Sequence, residues 1–264
     1  MTTTPEDHAP PEGHGLGALT DDAFLCGRLR MWQPARGYRA ATDPILLAAA
    51  CPAVSGQAVL DLGCGAGAAV LSLGLRVPGL RLSGVEVQPG YAMLARANAA
   101  RNGLQVEVEI GDVADMPRAL RRDFDHVISN PPYYPPGAGS PAWDAGREVA
   151  LREATPLAAW VATAAQRLRS GGWLTLIVGA DRLAPVLAAA EGRLGSVAIL
   201  PLAPREGRAA VRVVLRARKG GRGPLRLLAP LVLHAGATHQ GDHEDDTDEA
   251  RAILRNGAAI DRFG

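Results

Sequence analysis

The sequence predicts an α/β fold, doubly wound, with a mostly parallel seven-stranded sheet and an antiparallel C-terminal hairpin. Three observations predict it. Short apolar runs alternate with longer helical stretches from Val54 onward. The first of these runs stops at a glycine-rich turn, Asp61-Leu62-Gly63-Cys64-Gly65-Ala66-Gly67. Carboxylates then recur where successive strands end, at Glu86 and Asp112. Strand alternating with helix gives parallel pairing with helices on both faces, and ligands of such sheets bind beyond the carboxyl ends of the strands.

Taken in order, a lead-in helix is expected over Asp43–Ala50, followed by the strand that ends at Val59-Leu60. Ala68–Val77 reads as a helix stopped by Pro78-Gly79, and Leu82–Val87 as the second strand. Pro89 sits near the first position of the next helix, where its missing N–H costs little, and Gly103 ends it. Val106–Ile110 alternates apolar and acidic residues, the pattern of a strand half-covered or near an edge. Asp125–Ser129 is the fourth strand, before an irregular Pro/Gly stretch from Pro131 to Gly139. Leu157–Leu168 is helical and closed by Gly171-Gly172; Trp173–Val178 is a strand; Arg182–Leu194 is a helix. Val197–Leu202 and Ala209–Arg216 are a closing pair of strands joined by a basic loop.

The division expected is a disordered tail over 1–20, a lead-in over 21–53, the main domain over 54–235, and an acidic loop with a C-terminal helix over 236–264. A chain of 264 residues with 47% apolar content fills one large core, yet only 4% is aromatic, so Ala, Leu and Val must build it. No apolar stretch approaches the roughly 20 residues of a membrane span. The polar start, Met1–Leu19, lacks an apolar signal core, so a cytoplasmic location is expected. Cys26, Cys51 and Cys64 are too few and too scattered for a disulfide framework or a thiolate metal site.

The glycine turn follows a strand and opens a helix, a place where small residues let a ligand approach the backbone. Its spacing is Gly-x-Gly-x-Gly, at Gly63, Gly65 and Gly67. A dinucleotide fingerprint would need its third glycine at Ala68, which weakens a nicotinamide reading. Glu86, 25 residues after Asp61, is placed to accept from both hydroxyls of a ribose. Asp112, with Val113 beside it, is placed to bind the amino group of an adenine ring. Each acid alone is more often a cap or a solvated loop residue; three at successive strand ends form a pattern. From about Val54 to Val178 this pattern resembles the class I S-adenosylmethionine-dependent methyltransferases, which implies a Rossmann-like sheet and S-adenosyl-L-methionine as cofactor.

Asp125-His126-Val127-Ile128-Ser129-Asn130-Pro131-Pro132-Tyr133 follows the fourth strand. The Asn130 side-chain carbonyl and the Pro131 backbone carbonyl are two acceptors for the hydrogens of an NH2 group. Consecutive prolines fix the direction of the second acceptor. Tyr133 can stack on a planar partner. A conjugated amine is a poor nucleophile, and two acceptors on its hydrogens stabilise the positive charge that develops as it attacks. The plain alternative is a rigid turn after a strand. His126 lies within the strand and reads as packed.

Asn130-Pro131-Pro132-Tyr133 resembles the motif of methyltransferases acting on adenine, guanine or a glutamine amide. The glutamine enzymes carry a helical domain in front, for which the roughly 50 residues here leave no room. The lead-in Gln33-Pro34-x-x-Gly37-Tyr38-Arg39-Ala40-Ala41-Thr42-Asp43-Pro44-Ile45-Leu46-Leu47-Ala48 is similar to that of the tRNA adenine-N6 methyltransferases acting beside a valine anticodon. The doubled Tyr133-Tyr134 and the pair Leu231–His234 and Glu249–Leu254 extend the likeness from about Leu25 to Leu254. Pro135-Pro136 and the acidic, His-bearing loop from Gly236 to Thr247 depart from it. The resemblance implies an enzyme methylating adenine in tRNA or another structured RNA. It places Asn130, Pro131 and Tyr133 in catalysis, and Pro132, Tyr133 and Tyr134 against substrate. Thr42 and Asp43, which otherwise simply cap a helix, would close over the methionine end of the cofactor, with Asn130 beside it.

The competing functions are guanine-N2 methylation of rRNA, DNA adenine methylation, protein glutamine methylation, and a non-catalytic protein that binds cofactor or RNA. Eight cations lie between Arg205 and Arg226, and Arg218, Lys219 and Arg222 are the expected phosphate contacts. Alternation along Arg212–Arg216 marks some of them as the wet face of a strand. Trp143 is a candidate second stacking surface. His239, Asp242, His243, Glu244, Asp245 and Asp246 read as a solvated loop, so no metal is expected, and neither is a membrane partner. A monomer is expected.

Overall fold

A computed structural model describes residues 9–13, 15–132, 155–236 and 245–264. Tyr133, Tyr134, Pro135-Pro136 and Trp143, with His239, Asp242, His243 and Glu244 of the acidic loop, lie outside the described residues.

The chain opens with an antiparallel hairpin, β1 (Leu19–Phe24) and β2 (Leu29–Pro34). The sequence reading assigned no strand here; β1 starts inside the segment read as tail. Asparagines on a neighbouring helix hold the hairpin in place. That helix is α3 (Pro89–Arg101). Asn98 accepts from the Trp32 N–H at 2.7 Å and donates to the Trp32 carbonyl at 3.1 Å. Asn102, one turn on, does the same with Arg30 at 2.9 and 2.7 Å. The two amides thus satisfy the outer edge of β2 as a strand would.

Helix α1 (Asp43–Ala50) is apolar all round from Pro44 onward, and it is buried along its whole length. The central sheet then begins with β3 (Ala58–Leu62), β4 (Arg81–Glu86), β5 (Val106–Ile110), β6 (Phe124–Ser129), β7 (Leu168–Gly179), β8 (Leu194–Arg205) and β9 (Arg212–Lys219). These are the seven strands expected, all parallel except β9, which runs antiparallel to β7 and β8. Two short strands, β10 (Arg226–Leu227) and β11 (Leu231–His234), add to the outer edge of β8, so among the described residues the sheet has nine strands in the order β10-β8-β9-β7-β6-β3-β4-β5, with β11 also on β8. They form one edge strand interrupted at Ala229-Pro230, where proline has no N–H for the ladder. Runs of two and four residues carry too little alternation to be read from sequence.

Helices cover both faces. Helix α1, α2 (Ala68–Arg76), α3 and the C-terminal α6 (Asp248–Asn256) pack with Leu29, Met31, Leu71 and Ile253 on one side. Helices α4 (Leu157–Arg167) and α5 (Leu183–Ala190) pack with Val127, Leu174 and Leu215 on the other. Among the described residues no helix is long and apolar enough to cross a membrane. The strand order turns at β3, with β4 on one side and β6 on the other. A cleft opens there, at the carboxyl ends of the parallel strands.

Candidate functional site

The glycine-rich loop after β3 forms the floor of this cleft. Gly63, Gly65 and Gly67 all have left-handed φ, at 68°, 55° and 96°, a region side-chain-bearing residues avoid. A Cβ on Gly63 would sit 2.6 Å from the Trp160 ring, so that glycine also makes room for α4. A Cβ on Gly65 would meet nothing nearer than the Tyr38 ring edge, at 3.9 Å. The bare backbone at Gly65 therefore faces open space. Asn98 ties the loop to the hairpin as well, donating to the Ala66 carbonyl at 3.0 Å.

Glu86 ends β4 beside this loop and is only 6% exposed. One carboxylate oxygen accepts from the Gly65 N–H at 3.0 Å, the other from the Gln88 N–H at 2.9 Å. Burial pushes its carboxyl above the usual range while these N–H groups oppose the rise. Asp61, in β3, is 2% exposed; burial pushes its carboxyl well up, and its Oδ2 has no hydrogen-bond partner. Asp112, after β5, accepts from the Ala114 N–H at 2.7 Å and from the Thr155 hydroxyl at 3.0 Å. Val113 is buried next to it, its carbonyl accepting from Thr163 at 2.9 Å.

Asn130 leaves β6 directly opposite. The Ser129 hydroxyl donates to the Leu62 carbonyl at 3.0 Å and ties the ends of β6 and β3 together. The Asn130 Nδ2 faces the Tyr38 hydroxyl at 3.5 Å, and its Oδ1 is buried without a partner among the described residues. Pro131 and Pro132 continue the wall. One cleft is thus lined by Asp61, Gly63, Gly65, Glu86, Asp112, Val113, Asn130, Pro131 and Pro132. A carboxylate ladder, an open glycine backbone and an unpartnered amide oxygen suit a polar ligand with hydroxyl and amino donors, next to a second ligand that donates N–H groups.

Comparison with known proteins agrees with this arrangement. Residues 42–199 match the family described as the methyltransferase small domain. The chain belongs to this family. It is 36% identical over 175 residues to the tRNA1(Val) (adenine(37)-N6)-methyltransferase of Porphyromonas gingivalis, covering 62% of this chain and 68% of that protein. A solved structure described as a predicted O-methyltransferase of Agrobacterium tumefaciens superposes with a TM-score of 0.66 at 30% identity, covering 83% of this chain and 98% of that one. A Thermus thermophilus 16S rRNA N2 guanosine methyltransferase, solved with AdoMet and guanosine, shares the fold at TM-score 0.52 and 24% identity, covering 76% and 50%.

This methyltransferase is S-adenosylmethionine-dependent, and its cleft holds residues that fit that cofactor. Other residues stand apart from the cleft. Thr42 is exposed and makes no side-chain cap; Asp43 pairs with Arg212 at the start of β9, and it is Pro44 that reaches the cleft wall. Arg218, Lys219 and Arg222, the expected phosphate contacts, also lie away from the cleft. Arg218 pairs across the sheet with Trp173 and Arg212 with Gly179, so the end of β9 lies at the opposite end of the sheet from the cleft. There Arg218 donates to the Gly171 carbonyl at 3.0 Å and Lys219 to the Leu168 carbonyl at 2.5 Å, both closing a loop of the protein itself. The cations of the basic hairpin therefore fall at both ends of β9.

Lining residues to which the sequence reading gave no site role include Tyr38, Gln88, Tyr91, Thr155 and Trp160. Tyr38 lies in the quoted lead-in, and its Tyr-bearing spacing before Thr42-Asp43 was the one signal available. Trp160 looked like an ordinary apolar position of a helix. His126, by contrast, is buried as expected, its Nε2 donating to Gln57 Oε1 at 2.8 Å.

Proposed function

We propose that the protein transfers the methyl group of S-adenosylmethionine to the exocyclic N6 amine of an adenine in tRNA, at the anticodon-loop adenosine of a valine tRNA. The observation behind this reading is the Asn130 carbonyl oxygen, buried at the cleft with no partner, beside the Pro131 wall. A buried acceptor costs about 1–3 kcal/mol while unpaired, and an N–H donor removes that cost. The name of the Porphyromonas gingivalis relative supports the choice of adenine and tRNA.

In this reading Glu86 accepts from the ribose hydroxyls of the cofactor, Asp112 takes its adenine amino group, and the open backbone at Gly65 receives the methionine portion. When bound, the cofactor supplies an electrophilic methyl group on a sulfonium. Asn130 and the Pro131 carbonyl hold the two hydrogens of the acceptor amine, turning the nitrogen lone pair toward the methyl carbon. They also stabilise the charge that builds on nitrogen in the transition state. The amine proton leaves to water after the N–C bond has formed, so no strong general base is required. Tyr133 and Tyr134, proposed stacking surfaces, lie outside the described residues.

The test is incubation with tritiated cofactor and separated tRNA, rRNA, DNA and release factor, followed by mass spectrometry of the digested nucleosides. N6-methyladenosine from tRNA supports the reading. N2-methylguanosine from rRNA, or methylglutamine in the release factor, replaces the substrate. Cofactor binding with no methylated product from any acceptor would leave a binding protein instead of an enzyme.

A further inference from the structure

Tyr38 precedes α1 and Asn130 follows β6, 92 residues apart in the chain, yet both line the same cleft. Their contact is polar: the amide nitrogen of Asn130 faces the phenol oxygen at 3.5 Å, while the amide oxygen has no partner among the described residues. An asparagine amide can turn over and exchange its donor and acceptor ends. Only one of the two orientations presents an acceptor to an incoming amine. The other presents NH2 to NH2, which repels.

Tyr38 is itself held. The Tyr91 hydroxyl donates to the Tyr38 backbone carbonyl at 2.9 Å, and the two rings meet at 58° with centroids 6.4 Å apart. The Tyr38 ring edge also borders the open side of Gly65. Burial, with the charges of Asp43, Asp61 and Glu86 adding to it, raises the Tyr38 phenol above its ordinary range and keeps it protonated. A neutral phenol can both donate and accept; here its oxygen lies against the amide nitrogen and accepts from it.

We propose that Tyr38 is a positioning residue that fixes the amide of Asn130 so that its carbonyl oxygen faces the acceptor amine. This rests on the proposed role of Asn130. It assigns to the lead-in segment a part in chemistry as well as in shaping the cofactor cleft, and it makes the site selective for acceptors that bring N–H donors.

The test is a double-mutant cycle on the full chain, using total RNA from cells lacking the gene as acceptor and single-turnover transfer from tritiated cofactor. Tyr38→Phe keeps the ring and removes only the oxygen. It is expected to slow transfer by about tenfold, the scale of one lost neutral hydrogen bond, with S-adenosylhomocysteine affinity within about twofold of wild type. In the Asn130→Ala background the same substitution is expected to change the rate by less than about twofold, since the group it orients is gone. An equal fold loss in both backgrounds, a loss that follows weakened cofactor binding, or no loss at all overturns the proposal. Full activity of Asn130→Ala alone overturns the proposed acceptor grip instead, so the two failures are distinguishable.

Discussion

The two sides of the central sheet solve different problems. On the side of β3, β4 and β5 the strands are parallel and end in loops whose backbone does the work: left-handed glycines, and N–H groups gathered by Glu86. On the side of β7, β8 and β9 the direction of one strand is reversed, and the charged residues mostly serve the protein itself. Arg212 pairs with Asp43, Arg216 donates to the Ala50 carbonyl at 2.5 Å, and Arg205 pairs with Asp245. A run of arginines is therefore a poor guide to a binding face, because the sheet topology decides which end each one occupies. A glycine turn is a good guide, because its conformation is dictated locally.

The sharpest way to probe this contrast is at the seam between the two sides, where β6 meets β3. Asn130→Ala is expected to lower the single-turnover rate about 10²–10³-fold, roughly 3–4 kcal/mol, while calorimetry shows S-adenosylhomocysteine affinity nearly unchanged. Full activity in this variant would sink the proposed mechanism.

A second effect, on stability, tests the opposite end of the same strand. Burial pushes the His126 imidazole down to about 4, from an ordinary value near 6.5. Between these values the unfolded chain binds a proton that the folded chain refuses. Stability from this source is complete above about pH 6.5 and is lost as pH falls toward 4, by about 3 kcal/mol in all. Urea unfolding of wild type and His126→Gln across that window checks it: the variant should lose less stability on acidification. Parallel curves would mean that His126 titrates normally.

The cofactor side comes next in size. Glu86→Ala is expected to weaken S-adenosylhomocysteine by about 1–3 kcal/mol, since it removes the carboxylate and strands two backbone donors. Gly65→Val adds a side chain at a left-handed position facing the cleft and should abolish measurable binding. Unchanged affinity in both variants would contradict the placement of the cofactor.

The smallest effect separates the two ends of β9. Arg208 is exposed in the turn before β9, at the cleft end. Arg208→Gln should lower the log–log salt slope of RNA binding by about 0.7–0.9, one phosphate contact. Replacing Arg218, Lys219 and Arg222 together should leave the slope as it is. The reverse result would mean that RNA approaches the far end of the sheet.

What was legible in the sequence follows the same division. The Asp61–Gly67 turn, Glu86 and the Asn130-Pro131-Pro132 element fall where expected because each is a short contiguous segment at a strand end. The seven main strands and the reversed hairpin were legible from alternation and punctuation. The N-terminal hairpin was not, since what fixes it is the pair of amides on α3, about 70 residues away in the chain. Thr155, just before α4, and Trp160, within it, reach the cleft only through the packing of that helix, and nothing in their neighbours announces it; Tyr38 had only its spacing before Thr42-Asp43. The division of labour among the arginines depends on strand direction, which composition does not carry.

The edges of the sheet have a consequence for life at high concentration. An open edge strand invites another chain to add by backbone pairing, the first step of aggregation. Here β5 carries Glu109 and the Glu107–Arg122 ion pair along one edge, charged groups that an added strand would have to desolvate. At the other edge, the break at Pro230 leaves no more than four residues of continuous ladder beyond β8. A Pro230→Val substitution would knit β10 and β11 into one longer strand, and that gain in regularity is expected to appear as a loss of solubility.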